Sequence, residues 1–337
     1  MWETYIDQIR KTSPLVHAIT NYVTVNDVAN MILAIGGQPI MADDAQEVEE
    51  ITSICQSLVI NIGTLNARTV ESMILAGKAA NRLGHPVILD PVGLGASSLR
   101  QEAVKRLLQE VKFTVIRGNI SEIKMLMHYQ EEMVREQPER MLIHHQEDMH
   151  MRQVNEVAVF NSTSRGVDAS PVDQVREDNL SEALAFMKAA ASSLDAIVIS
   201  TGAIDLIANA EQCYIIRNGH PMMARVTGTG CQLSGLLGAF MGALSVAEGM
   251  VFAETPEDQL VQERSAHVVG GVSTEDHHVS PLRAAAAAVA TMGLAGQIAH
   301  ENLAAHEGNS TYRNRIIDAV FHMTGDQLEK GINIDRL

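Results

Sequence analysis

Aromatic side chains are scarce in this 337-residue chain: one Trp, five Tyr and six Phe, 4% in all. A core must therefore come from Ala, Val, Ile, Leu and Met, which the 46% hydrophobic fraction can supply. Positive charge is scarce too, with 25 Lys and Arg against 41 Asp and Glu and a formal net charge of -16. Such a chain lacks the basic face needed for non-specific nucleic-acid or anionic-membrane binding, so neither is expected as a partner. An anionic ligand in a local pocket stays open. Cysteine is limited to Cys55, Cys213 and Cys231, an odd and widely spaced set without a CxxC. That excludes a disulfide framework and predicts free thiols in a reducing, cytoplasmic setting. The polar start MWETYIDQIRKTSP lacks the apolar stretch of a signal peptide. Long apolar runs are also missing. The longest, Ala284 to Ala299, is dominated by Ala and is too short and weakly hydrophobic for a membrane span. It reads as a buried helix packed through its small side chains.

What is present alternates. Four Val- and Ile-rich runs read as buried strands: Ser57 to Gly63, His85 to Gly93, Phe113 to Asn119 and Asp195 to Ala203. Helical patterns at 66–84, 97–111 and 179–193 precede the last three. Strand alternating with helix predicts an α/β fold, a mainly parallel sheet with helices on both faces. A hairpin is expected after the fourth strand, with RNGH (217–220) as its turn. Two charged, irregular segments, about 128–161 and 246–280, break the alternation. They read as insertions in a single domain spanning 1–337. The first carries His128, His144, His145 and His150 among several Met, without zinc-finger spacing, and reads as a solvated loop or amphipathic helix rather than a metal site.

In a parallel sheet, chemistry gathers at the carboxyl ends of the strands. Waiting there are Asn61 and Gly63, Asp90 and Gly93, Arg117 and Asn119, and Thr201 and Gly202. Beyond them VTGTGC (226–231) runs into an apolar helical pattern. The backbone N–H groups of Gly228, Thr229, Gly230 and Cys231 fit an anion hole at a helix start, or a glycine-rich helix start alone. No GK[ST] follows, so this is not a Walker A loop. Cys231 in the first turn is either a thiol eased toward thiolate by the helix dipole or a small buried apolar residue. Asp90 ends a buried strand, where a carboxylate needs a partner, solvent or a metal. Asn119 and Glu122 are spaced either for a shared Mg²⁺ site or for a capping box. Arg117 is placed to hold a phosphate oxygen.

Taken together, HAITNYVTVNDVANMILAIGGQPIMADDAQEVEEI, VILDPVGLGAS, VIRGNISEI, GVDA, YIIRNGHPMMARVTGTGC and MGLAGQIA resemble the hydroxyethylthiazole kinases. The likeness covers nearly the whole chain outside the two insertions, which make it longer than is usual there. It implies a ribokinase-like three-layer sandwich and phosphorylation, with ATP and Mg²⁺, of the hydroxyl of 4-methyl-5-(2-hydroxyethyl)thiazole in thiamine salvage. It implies Cys231 as the catalytic position, where related kinases carry Asp, and Gly228 to Cys231 as the anion hole. It places Arg117 and Thr201 at ATP, Met41, Gly228 and Asn21 at the thiazole, and Asp90 and Glu122 near Mg²⁺, through water. It also implies a homotrimer with each site at a subunit boundary. The rivals are a kinase of the same fold acting on a hydroxymethylpyrimidine or a sugar, an ATP-dependent repair enzyme, and a silent thiazole- and nucleotide-binding regulator.

Overall fold

A computed structural model of the chain describes residues 2–136, 174–247 and 280–337. Nine strands form one sheet in the order β2-β1-β3-β4-β5-β6-β7-β8-β9. They are β1 (Leu15–Ile19), β2 (Gln38–Ile40), β3 (Ser57–Asn61), β4 (Val87–Asp90), β5 (Val115–Gly118), β6 (Ile197–Ser200), β7 (Asp205–Ala208), β8 (Cys213–Ile216) and β9 (Ile334–Arg336). The pairings from β2 through β6 are parallel, and β7, β8 and β9 add antiparallel. The four expected strands are β3 to β6. The expected hairpin is β7 and β8, but its turn lies elsewhere. The chain reverses at 209–212, where the Asn209 Oδ1 accepts from the Glu211 and Gln212 N–H groups. The RNGH segment follows β8 instead.

Helices cover both faces. One face carries α1 (Glu3–Thr12), α2 (Val25–Ile35), α8 (Thr229–Ala247), α9 (Pro281–Glu301) and α10 (Asn309–His322). The other carries α4 (Ala67–Leu83), α5 (Ser98–Glu110), α6 (Ile120–Glu136) and α7 (Leu180–Leu194). The short helices α3 (Val48–Ile54) and α11 (Gly325–Gly331) complete the set. Strand side chains alternate between the two cores: Val59, Ile88 and Val115 point one way, Ile60, Leu89 and Ile116 the other, and all are buried. This is the apolar-on-both-sides pattern of a parallel strand.

The shortage of aromatic residues is answered by close helix packing. A Cβ at Gly238 of α8 would lie 2.7 Å from side-chain atoms of Val16 and Val59, so this helix rests directly on β1 and β3. In α9, Ala284 to Ala288 are fully buried. Both helices are long and apolar enough to pass a membrane-span test, yet 83% of each apolar window is buried within the fold. Tertiary packing accounts for their composition.

The described start of the first expected insertion is helical. Residues through Glu136 continue α6, with His128 Nε2 3.0 Å from Glu132 across one turn. Likewise α8 runs to Ala247. Apart from Ser280, which caps α9, the rest of both segments lies outside the described residues, with His144, His145 and His150, and so does GVDA at 166–169.

Candidate active site

The carboxyl ends of β1, β3, β4, β5 and β6 meet the start of α8. Register makes the first contact: Asn61 and Asp90 are partners in the β3–β4 ladder, so their side chains stand side by side. The Asn61 Nδ2 donates to Asp90 Oδ2 at 2.8 Å and approaches the Cys231 Sγ at 3.3 Å. Asn21, two residues past β1, donates its Nδ2 to the same sulfur at 3.1 Å and to Asn61 Oδ1 at 3.2 Å. The Thr24 hydroxyl and N–H donate to Asn21 Oδ1 and fix that amide's orientation. Ser234, one turn after Cys231 on α8, donates to Asp90 Oδ2 at 2.8 Å.

Arg117 extends this network towards β6. Its guanidinium lies 3.3 Å from Asp90 Oδ1 and donates to the Thr201 hydroxyl at 2.7 Å. Its Nε–H is buried without a partner among the described residues. The same guanidinium presses on the helix start: a Cβ at Gly230 would overlap it. Gly228 has φ +85, and a Cβ there would collide with Thr24. Glycine is required at both positions, once for the left-handed backbone and once for close approach. The N-terminus of α8 thus has a fixed cation directly beside it, which suits an anion.

Glu122 takes the capping-box option left open in the sequence. It forms a capping box with Asn119, the Asn119 N–H donating to Oε2 at 2.8 Å and Asn119 Oδ1 accepting from the Glu122 N–H at 2.9 Å. Its Oε1 accepts from the Gly93 N–H at 2.8 Å, which ties α6 to the loop after β4. It also stands within electrostatic reach of Asp90 and Arg117. Burial, aided by Asp90, pushes the Glu122 carboxyl up to about 7. Burial likewise lifts Asp90, against the pull of Arg117, Ser234 and Asn61. Asp205, at the start of β7, accepts from the Gly202 N–H and is pushed up to about 7 by burial.

Arg117 is therefore the shared counter-charge for Asp90, Glu122 and Asp205. One guanidinium facing three carboxylates leaves room for further positive charge. Among the described residues no three or more His, Cys, Asp or Glu are grouped to enclose a metal ion. A hard cation here would complete its oxygen shell from water and ligand oxygens, which is how Mg²⁺ is commonly held.

For Cys231 the outcome differs from a dipole-activated thiolate. The residue is 6% exposed, and burial, then the Asp90 charge, push its thiol up. Hydrogen bonds from Thr24 and Asn21, and the charge of Arg117, oppose the rise without reversing it. This balance favours the thiol over the thiolate. Cys55 and Cys213 are free and buried as well, pushed up to about 12 and about 11 by burial.

The structure brings Asn21, Asp90, Arg117, Glu122, Thr201 and Gly228 to Cys231 together. Met41 follows β2 on the same rim but stands apart from the hydrogen-bonded network, partly buried against the α8 side of the core. The neighbouring backbone is fixed by His17, whose Nε2 lies 2.9 Å from the Ala42 carbonyl oxygen. Sequence reasoning gave Asn61 a place on the rim but no task, and it passed over Ser234, Thr24 and Asp205. A Ser one turn after the cysteine was the available signal for the first. It also missed Arg100, whose guanidinium donates to the carbonyls of Ile62, Gly63 and Val92 and joins the loops after β3 and β4.

Comparison with known proteins adds to this geometry. The model of the hydroxyethylthiazole kinase family matches residues 6–137 and 149–256. A hydroxyethylthiazole kinase of Clostridium acetobutylicum is 45% identical over 329 residues, covering 98% of this chain and 97% of that one. A second, from Ruminiclostridium cellulolyticum, is 41% identical and covers 94% of this chain and 91% of its own. The solved structure of a hydroxyethylthiazole kinase from Pyrococcus horikoshii superposes with a TM-score of 0.71 at 26% identity, covering 100% of this chain and 98% of that one. The extra length is thus shared with the Clostridium acetobutylicum relative, and the ribokinase-like, three-layer arrangement agrees with the solved one. By family model, by relatives aligned nearly end to end and by fold, the chain belongs to the hydroxyethylthiazole kinase family.

Proposed function

We propose that this chain transfers the γ-phosphoryl group of ATP to the side-chain hydroxyl of 4-methyl-5-(2-hydroxyethyl)thiazole, a step of thiamine biosynthesis or salvage. The observation that carries the reading is the convergence of Cys231, Asn21 and Asp90 on a glycine-rich helix start that has Arg117 pressed against it.

In this reading Arg117 and Thr201 hold phosphate oxygens, and the N–H groups of Gly228 to Cys231 accept the γ-phosphoryl group as charge shifts onto it. Asn21, Met41 and Gly228 hold the thiazole alcohol. The hydroxyl oxygen forms a bond to γ-phosphorus while the bond from that phosphorus to the bridging oxygen of ADP breaks. The hydroxyl proton leaves to solvent or to a phosphoryl oxygen. Phosphoryl transfer depends mainly on positioning and charge stabilisation. A resting thiol is sufficient for that, so Cys231 orients the hydroxyl rather than supplying a strong base. Asp90 and Glu122 would hold Mg²⁺, which when bound would supply charge neutralisation on the polyphosphate. The three free thiols suit a reducing cytoplasm. Tyr22 is 76% exposed and Val23 61% exposed, immediately beside Asn21. Such an apolar pair at the rim suits a subunit contact, as in the homotrimer with sites at subunit boundaries that the family resemblance implies.

Phosphorus NMR of the purified chain with ATP, Mg²⁺ and the thiazole alcohol tests the reaction. One new phosphomonoester should appear for each ADP formed. ATP cleaved to inorganic phosphate alone, or no turnover with the ligands bound, would exclude this assignment and favour the silent regulator for the latter result.

A further inference from the structure

The Asn61 side chain is 1% exposed, and all four of its hydrogen-bonding positions are committed. Its Oδ1 accepts from the Gly63 N–H at 2.8 Å and from Asn21 Nδ2 at 3.2 Å. Its two Nδ2 hydrogens point to Asp90 Oδ2, at 2.8 Å, and to the Cys231 sulfur, at 3.3 Å. The Gly63 N–H can only donate, so it requires the amide oxygen on its side and fixes the direction of the amide. Ending β3 with a turn needs that oxygen alone. The nitrogen half is spent entirely on two groups of the reaction centre that come from different elements, β4 and α8.

We propose that Asn61 is a positioning residue for phosphoryl transfer, holding the Asp90 carboxylate and the Cys231 sulfur in one fixed relation. The inference rests on the kinase reading above. Asp90 has its other oxygen turned to Arg117, 3.3 Å away, and that guanidinium lies against Gly230. Rotation of Asp90 would therefore move Arg117 and disturb the helix start that receives the phosphoryl group. Cys231 receives a second amide hydrogen from Asn21, whose own place depends on the Asn61 oxygen. One amide thus sets both sides of the centre. Because it touches neither ATP nor the alcohol itself, its loss should fall mainly on kcat, with only small changes in KM passed on through Asn21 and Arg117.

The test is a double-mutant cycle on steady-state kinetics with ATP, Mg²⁺ and the thiazole alcohol. Asn61→Ala and Asn61→Asp are each made in the wild-type and Cys231→Ala backgrounds. Asn61→Asp keeps the volume and the acceptor bonds from Gly63 and Asn21 and replaces the nitrogen donors by a carboxyl oxygen, which adds repulsion from Asp90 to the loss of both donors; it carries the test if the alanine variant does not fold, because the coupling to Cys231 is read within the cycle. In the wild-type background kcat should fall by about 30-fold or more, with both KM values within about threefold. In the Cys231→Ala background the same change should cost at least about fivefold less, because residues that act as a unit are not additive. An equal loss in both backgrounds would make Asn61 a packing residue, and an unchanged kcat would remove it from the mechanism; either overturns the proposal. Wild-type protein inactive on the thiazole alcohol would instead overturn the kinase reading.

Discussion

Replacing Glu122 by Gln should reshape the pH dependence of folding stability. The Glu122 carboxyl moves from an ordinary 4.5 to about 7 in the folded chain, chiefly through burial. A raised folded value means the fold favours the protonated acid. The stability from this group is complete below pH 4.5 and is lost as pH rises through 7. At about 1.4 kcal/mol per pKa unit, the loss is on the order of 3 kcal/mol. Glutamine does not titrate, so it removes this slope. It also has one acceptor oxygen where Glu122 offers two, to Gly93 and Asn119. Leaving one of those N–H groups against an amide nitrogen costs about 1–3 kcal/mol. The variant should therefore be the less stable protein at pH 5, and the gap should close or reverse by pH 8. Urea unfolding of both proteins from pH 5 to pH 8, without divalent cations, measures this. Asp205 adds a slope of the same sign, and His17, lowered to about 4 by burial, adds the opposite one below 6.5. Both are common to the two proteins and cancel in the difference. A difference that stays constant with pH would refute the buried-acid account of Glu122.

Two further substitutions probe the helix start. Gly230→Ala places a methyl group in the Arg117 guanidinium and should lower kcat/KM for ATP by about 100-fold, as a displacement near 1 Å can; steady-state kinetics would show it, and an unchanged value would detach Arg117 from the nucleotide. Gln232 is fully buried, and neither end of its amide has a partner among the described residues. Gln232→Met keeps its length, removes both polar ends and should stabilise the protein by about 1 kcal/mol; a lowered melting temperature would mean that the amide is partnered in solution.

Much of the centre of the sheet was legible because strands buried on both faces read as Val- and Ile-rich runs between Gly, Pro and Asn. The edges were not. β2 has three residues with Pro39 in the middle, and β9 is a mostly exposed IDR segment. β1 carries His17, a polar residue kept neutral by burial and bonded to Thr52 and Ala42. The hairpin turn was misplaced because RNGH has the better composition, whereas the Asn209 side chain makes the actual turn. In the candidate site, charged residues at strand ends were visible one by one. The task of Asn61 was hidden, since it follows from β3–β4 register. For Cys231, local sequence left a dipole-eased thiol and a buried apolar residue both open, because burial and the Asp90 charge that raise the thiol come from tertiary packing.

Phosphorylation of a thiazole alcohol at this rim is tested most directly by comparing kcat/KM for hydroxyethylthiazole, hydroxymethylpyrimidine and ribose on the purified chain with ATP and Mg²⁺, with Cys231→Ala in parallel. Turnover of the thiazole should lie far above that of the other two and fall in the variant. Equal or greater turnover of the pyrimidine or the sugar would contradict this assignment.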